Sequence, residues 1–298
     1  MRLLVTGAMK LSDEQLEYLI SAGHDVVFHQ NESDELPLPC DIIEGVIGNG
    51  LFLHHPIEEF TSLRYIQLTS AGYDRVPIDY VREHGIEIHN AAGVYSIPMA
   101  EFALAGVLGI YKKWDHFREC QKNHRWEKHR GLVEIFGKRV YIVGCGNVGT
   151  ECAKRFGALG CDVYGVDLFP RESEYYREML PVGELTNAVS AADVVVLTLP
   201  LTDGTRHIIS KDVLDSLKDG CIIVNIARGA VIDTDSLIGA LEERELYAVL
   251  DVFEEEPLSA DSPLWDMDNV IITPHNSFVG EGNGERLWRV VIRNLGIE

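Results

Sequence analysis

The sequence is short of positive charge. Twenty-six Lys and Arg stand against 47 Asp and Glu, leaving a formal charge of −21. A chain this acidic repels phosphate backbones and anionic lipid, which argues against a general grip on DNA, RNA or membrane surface and for a small partner. It also lacks long apolar runs. The start, Met1 to Gly7, has too short an apolar stretch for a signal peptide, and eighteen consecutive apolar residues occur nowhere, so a soluble cytoplasmic protein is expected. The six cysteines contain no Cys-x-x-Cys pair and no spacing that suggests zinc, and they read as reduced thiols. His54-His55, and His124 with His129, lack metal-ligand partners, so no metal is expected.

What is present is ordinary globular composition, 46% apolar over 298 residues, enough for one large or two medium domains. Over the first ninety residues β-rich runs alternate with helical patterns. Strands are expected at Arg2 to Thr6, Val26 to Phe28, Val46 to Ile47, Tyr65 to Leu68 and Ile86 to His89. A helix is expected from Ser12 to Ala22, with Ser12 and Gln15 as a capping box and Gly23 at its stop. From Ser96 to about Asn123 the pattern predicts one long helix. Six further strands follow near 139–143, 162–166, 193–198, 221–226, 247–251 and 270–273, the number a dinucleotide-binding domain needs, and a terminal helix at Glu285 to Leu295 can pack back on the first domain. The expected fold is α/β, with two Rossmann-like or flavodoxin-like domains, parallel sheets and a cleft between them. A cofactor domain at about 94–277 is inserted into a discontinuous domain of 1–93 plus 278–298. Trp114 and Trp126 read as packing residues, and the acidic run 254–256 as solvated apart from its last member.

The strongest motif is Gly144-Cys-Gly146-Asn147-Val148-Gly149, directly after a β-branched run and before a helical one. The first glycine permits a tight turn, the second lets backbone approach a pyrophosphate, and the third allows close helix–strand packing. The N–H groups near Asn147 and Val148 then face the phosphates. Eighteen residues beyond Gly149, Asp167 ends the next strand, where its carboxylate would accept from a ribose and repel a 2′-phosphate, favouring NAD over NADP. Hydride chemistry also needs a proton donor and a carbonyl holder. Arg228, Glu256 and His275 each follow a successive strand, where open α/β sheets bind ligands. A guanidinium there can fork onto a carboxylate, and a carboxylate beside a histidine favours its protonated form.

With these residues in place the chain resembles the NAD-dependent, D-isomer-specific 2-hydroxyacid dehydrogenases. The matching stretches are Gly144–Gly149, Leu199-Pro-Leu-Thr-Asp-Gly-Thr-Arg206, Asn225-Ile-Ala-Arg-Gly-Ala-Val-Ile-Asp233, Leu250-Asp-Val-Phe-Glu-Glu-Glu-Pro257 and Pro263-Leu-Trp265 leading to Thr273-Pro-His275, in family order over about 64–295. The resemblance implies reversible reduction of a small 2-oxo acid to a D-2-hydroxy acid with NADH. Arg228 would bind substrate, Glu256, which directly precedes the proline, would pair with the histidine, and His275 would donate and accept the proton. It places Leu199, Pro200, Thr205, Ile226, Ala227 and Asp251 beside the cofactor with Arg228 and His275. Ser70, Ala71 and Gly72 would contact the substrate carboxylate, and Tyr95 would line the pocket. It also implies a homodimer through the cofactor domain. A glutamine replaces the acid in formate dehydrogenases, so Glu256 argues against those. Asn276-Ser-Phe278 stands where many relatives have small residues, which bears on the pocket wall. The chain ends at Glu298 without an added regulatory domain, which weakens an allosterically controlled phosphoglycerate dehydrogenase. Phosphoglycerate or phosphite oxidation, and an NADH-sensing interaction protein of the same fold, are the competing readings.

Overall fold

The computed structural model describes residues 1–298. Along the chain run β1 (Arg2–Thr6), α1 (Asp13–Ser21), β2 (Asp25–His29), β3 (Gly45–Gly48), β4 (Tyr65–Leu68), α2 (Ile78–Glu83), β5 (Glu87–His89), α3 (Ser96–Tyr111) and α4 (Trp114–Lys122). Then come β6 (Arg139–Val143), α5 (Asn147–Ala158), β7 (Asp162–Asp167), β8 (Met179–Pro181), α6 (Leu185–Val189), β9 (Val194–Leu197) and α7 (Lys211–Ser216). Last are β10 (Ile222–Asn225), α8 (Thr234–Glu243), β11 (Tyr247–Leu250), β12 (Val270–Ile272) and α9 (Asn283–Asn294). No helix is long and apolar enough to cross a membrane. The chain divides into two compact units, Met1–Tyr95 with Gly280–Glu298, and Ser96–Val279.

The smaller unit is a parallel sheet in the order β2-β1-β3-β4-β5, the flavodoxin-like order. One face buries Leu4, Val46 and Ile66. The other buries Leu3, Val5 and Ile47 with Leu19 of α1 and Leu287 and Val291 of α9, so the last helix completes a core begun by the first strand. Ser12 and Gln15 form the expected reciprocal cap on α1.

The larger unit is a seven-stranded parallel sheet ordered β12-β11-β10-β9-β6-β7-β8. Its strands are near-continuous runs such as Val-Val-Val-Leu and Ile-Ile-Val-Asn, as strands covered on both faces require. α3 and α5 bury one face with Val107, Ala153 and Phe156. α6, α7 and α8 bury the other with Val189, Leu214 and Leu237. The strand order reverses between β6 and β9, the place where such sheets bind ligands.

Three expectations are corrected. A seventh strand, β8, is added at the sheet edge; three residues ending in Pro181 are too few to show a period, and proline is tolerated there. The single helix over 96–123 is broken in two, because Lys113 adopts the left-handed conformation (φ 53°) and the Tyr111 carbonyl is taken by the Val133 N–H at 3.1 Å. The break shifts the helical phase, so Trp114 leaves the face that carries Val107 and Tyr111 and is 60% exposed. Trp126, beyond the last buried position of α4, is 97% exposed; neither tryptophan is a packing residue.

At the amino-terminal edge of this sheet Asp193 accepts from the Arg139 N–H at 2.8 Å and Lys218 Nζ at 2.7 Å, with Lys138 Nζ at 3.6 Å. Burial opposes its charge, but Lys218, the Arg139 amide and Lys138 outweigh it and hold the carboxyl below its usual value. A depressed folded-state value contributes stability that is present above the unfolded carboxylate range and lost as pH falls through the folded one. Asp193→Asn is therefore expected to lower the unfolding free energy by about 1–3 kcal/mol near neutral pH, and by progressively less below about pH 4. Urea titrations across pH test this, and a pH-independent difference would contradict it.

Candidate active site

The carboxyl ends of successive strands carry the site residues of the larger unit. Gly144 follows β6 with φ 95°, and a Cβ there would lie 2.7 Å from the Leu199 nitrogen. A Cβ on Gly149 would lie 2.2 Å from the Gly144 carbonyl oxygen, so both glycines are dictated by close packing. Around Gly146 there is open space, the side on which a pyrophosphate could approach. Gly146 caps α5 with no side chain on the first-turn N–H groups of Asn147, Val148 and Gly149, which suits an anion. Asp167, ending β7, accepts from the Cys145 N–H at 2.7 Å and the Phe169 N–H at 2.9 Å. A carboxylate has about four acceptor positions, so room remains for two ribose hydroxyls. The turn as built fits a dinucleotide.

Across the switch point, Leu199 lies buried with its backbone against Gly144, while the Thr205 hydroxyl donates to the Pro200 carbonyl at 2.7 Å and closes the loop after β9. After β10, Asn225 ties its own loop: its amide donates to the Arg228 carbonyl at 3.0 Å and its oxygen accepts from the Ala227 N–H at 3.1 Å. The Ile226 and Ala227 side chains are buried, so this loop offers its backbone and the Arg228 guanidinium, whose Nη1 donates to the Ala227 carbonyl at 2.7 Å. Gly229 is pressed onto the next loop. A Cβ there would sit 1.8 Å from the carbonyl carbon of Phe253, so the backbone beside Arg228 and the backbone leading to Glu256 lie in direct contact.

That next loop carries the acid. Glu256 accepts from the Phe253 N–H at 3.0 Å through Oε1 and meets His275 Nδ1 at 2.8 Å through Oε2. The pair engages His275 Nδ1 and leaves Nε2 as the ring's other nitrogen. Both side chains are partly open to solvent. His275 itself is in the left-handed region (φ 50°), a conformation that must be held from outside. Asp251, directly after β11 and fully buried, holds it. Its carbonyl accepts the His275 N–H at 2.7 Å, and its carboxylate accepts from Thr273 Oγ1 (2.6 Å), the Asn276 N–H (2.8 Å) and the Ser277 N–H (2.9 Å). The sequence marked Asp251 for the cofactor; its three carboxylate bonds anchor the histidine turn, a role visible only once strand ends are adjacent. Phe278 stands edge-on to the His275 ring, centroids 6.0 Å apart.

Glu254 is not simply solvated, as its place in an acidic run suggested. It accepts from Thr234 through both N–H (3.0 Å) and hydroxyl (2.6 Å) and from His207 Nε2 at 2.8 Å. Burial opposes its charge, but these bonds hold its carboxyl below the usual value. His207 and Glu254 thus clamp the loops after β9 and β11, and no local sequence pattern links residues 47 apart.

In the smaller unit Ser70, Ala71 and Gly72 follow β4. Their carbonyls accept from the Ala91 N–H (2.8 Å), Asn90 Nδ2 (2.7 Å) and the Ser70 hydroxyl (3.0 Å) respectively, so amides are what this loop can offer an anion. The Tyr95 hydroxyl donates to the Thr69 carbonyl and steadies the loop from behind.

Residues 104–277 match the D-isomer specific 2-hydroxyacid dehydrogenase, NAD binding domain. The chain belongs to this family. It is 35% identical over 222 residues to a D-3-phosphoglycerate dehydrogenase of Methanocaldococcus jannaschii, covering 74% of this chain and 42% of that protein. Against a hydroxypyruvate reductase of Thermotoga maritima it is 34% identical over 253 residues, 81% and 80% of the two chains. A crystal structure of a family protein from Aeromonas salmonicida superposes with a TM-score of 0.81 at 29% identity, covering 99% and 94%. The chain spans about half the length of the phosphoglycerate dehydrogenases it matches.

Removing the buried Asp251 carboxylate leaves the Thr273 hydroxyl and the Asn276 and Ser277 N–H groups without their acceptor. Asp251→Ala is expected to cost about 3 kcal/mol or more in a denaturant titration; a loss below about 1 kcal/mol would remove Asp251 as the anchor.

Proposed function

We propose that this protein interconverts a small 2-oxo acid and a D-2-hydroxy acid with a nicotinamide dinucleotide. The observation that carries the reading is the Glu256–His275 pair at 2.8 Å on a turn pinned by Asp251, with the Arg228 loop packed against the loop that supplies Glu256. The dinucleotide, bound at Gly144–Gly149 and Asp167, supplies the hydride. Arg228 binds and orients the substrate carboxylate, and the amides of Ser70 to Gly72 are proposed to assist it. His275, its ring oriented by Glu256, passes its Nε2 proton to the substrate oxygen as the carbonyl is reduced, and takes it back in the reverse direction. The Phe278 ring against His275 narrows the room beside the proton donor, which favours glyoxylate or hydroxypyruvate over phenylpyruvate. Phosphoglycerate oxidation is the second reading, supported by the name of the 35%-identical relative. The homodimer through the cofactor domain is carried over from the resemblance, and the proposed cytoplasmic location rests on the short apolar stretch at Met1 to Gly7 and the lack of long apolar runs.

NADH oxidation should be faster with glyoxylate or hydroxypyruvate than with phenylpyruvate or phosphohydroxypyruvate. His275→Ala should cut turnover by about 10²–10⁴-fold while dinucleotide binding, read by fluorescence, is retained. Turnover with phosphohydroxypyruvate alone would favour the second reading. Binding without turnover of any oxo acid would favour a sensor.

NAD is the proposed cofactor over NADP, since the Asp167 carboxylate would face a 2′-phosphate. The neighbouring Arg171 donates to the Cys145 carbonyl at 2.6 Å, so its guanidinium is already engaged at the turn. Asp167→Ala should lower the NADH:NADPH ratio of kcat/KM at least about tenfold, which is about 1.4 kcal/mol; an unchanged ratio would move the preference elsewhere.

A further inference from the structure

We propose that His116, Cys120 and Glu127 form a site for a divalent transition metal, zinc by the chemistry of its donors, on the side of the larger unit that carries α4. His116 and Cys120 are four apart on α4 and share one face of the helix. The helix then ends in a left-handed residue, His124 (φ 52°), with the Arg125 N–H returning to the Cys120 carbonyl at 2.8 Å and the His124 N–H to Gln121 at 3.2 Å. This is the usual helix-stopping reversal, with histidine where glycine is preferred. Its effect is to swing the following segment back, so that a carboxylate seven residues beyond the cysteine faces the thiol.

The three ligand atoms lie within 4.8 Å of one another. The Cys120 Sγ is 3.6 Å from His116 Nε2 and 3.9 Å from Glu127 Oε2. With zinc bonds of about 2.3 Å to sulfur and about 2.0–2.1 Å to nitrogen or oxygen, those separations subtend about 110° and about 125° at the ion, near tetrahedral values, and the exposed Glu127 side chain closes the remaining His116–Glu127 separation when the ion binds. Cys120 is buried, 3% exposed, while Glu127 is open to solvent, so the site has a fixed inner wall and an accessible mouth. Glu127 Oε1 also meets Arg125 Nη1 at 3.3 Å, which leaves Oε2 for the metal. The His129 ring packs edge-on against that of His116, centroids 5.1 Å apart, and its Nδ1 accepts from the Gly131 N–H at 3.1 Å, so it supports the His116 ring, and water completes the ion's coordination. Binding releases the Cys120 thiol proton to solvent, and thiolate plus carboxylate then balance the two charges of the ion. The chain reads His-x3-Cys-x6-Glu, three ligand types with no Cys–Cys or His–His spacing among them.

The test is titration of the purified full chain with Co²⁺ as a spectroscopic probe, and then with Zn²⁺ as competitor. The expected result is one equivalent of Co²⁺ with a thiolate-to-cobalt charge-transfer band, displaced by Zn²⁺ and abolished in Cys120→Ser. Glu127→Gln, a surface change that leaves the fold intact, should weaken binding at least about tenfold. No thiolate band, or a band that survives Cys120→Ser, would overturn the proposal, as would equal affinity in Glu127→Gln. Circular dichroism of each variant establishes that a lost band reflects lost ligands and not lost structure.

Discussion

Asp251 is a carboxylate taken wholly out of water just after β11, which is costly unless its oxygens are hydrogen-bonded. It is repaid by Thr273, Asn276 and Ser277, three donors from one turn after the neighbouring strand. The turn can therefore adopt only one shape, with His275 in a backbone conformation it would not choose alone. Glu256 then needs to fix only the ring, and its second oxygen is itself held by the Phe253 amide. Orientation passes outward from the buried acid to the solvent-facing imidazole.

The same economy runs sideways through the loops. Gly229 allows the backbone after β10 to lie against the backbone after β11, and His207 reaches across to Glu254 from the loop after β9. Arg228 and Glu256 are thus carried by segments in van der Waals contact, so neither loop can shift without the other. The opposite edge of the sheet is secured separately, by Asp193 with Lys218 and the Arg139 amide.

Much of this was legible in the sequence for physical reasons. Parallel strands covered on both faces must be apolar throughout, so β6, β9, β10 and β11 announce themselves, and the glycine turn has little freedom once a strand precedes it and a helix follows. The Ser12–Gln15 cap is a local device and could be read locally. What escaped depends on contacts distant in sequence: the Val133 amide that ends α3 by taking the Tyr111 carbonyl, the clamp between His207 and Glu254, and the anchoring bonds of Asp251. β8 escaped because three residues carry no period. Tryptophan misled, since its size suggested burial while the break at Lys113 and the reversal at His124 turned Trp114 and Trp126 outward.

The return of α9 to the smaller unit has a consequence for synthesis. Leu287 and Val291 complete a core that Leu3, Val5 and Leu19 open, and Arg286 Nε grips the Val94 carbonyl at 2.7 Å, so residues 1–95 lack part of their own interior until 280–298 are made. Residues 96–279 are contiguous and contain all of theirs. The inserted unit can therefore close while the strands of residues 1–95 still wait, exposed, for the last helix. During that interval the apolar face of β1 is a natural client for a chaperone.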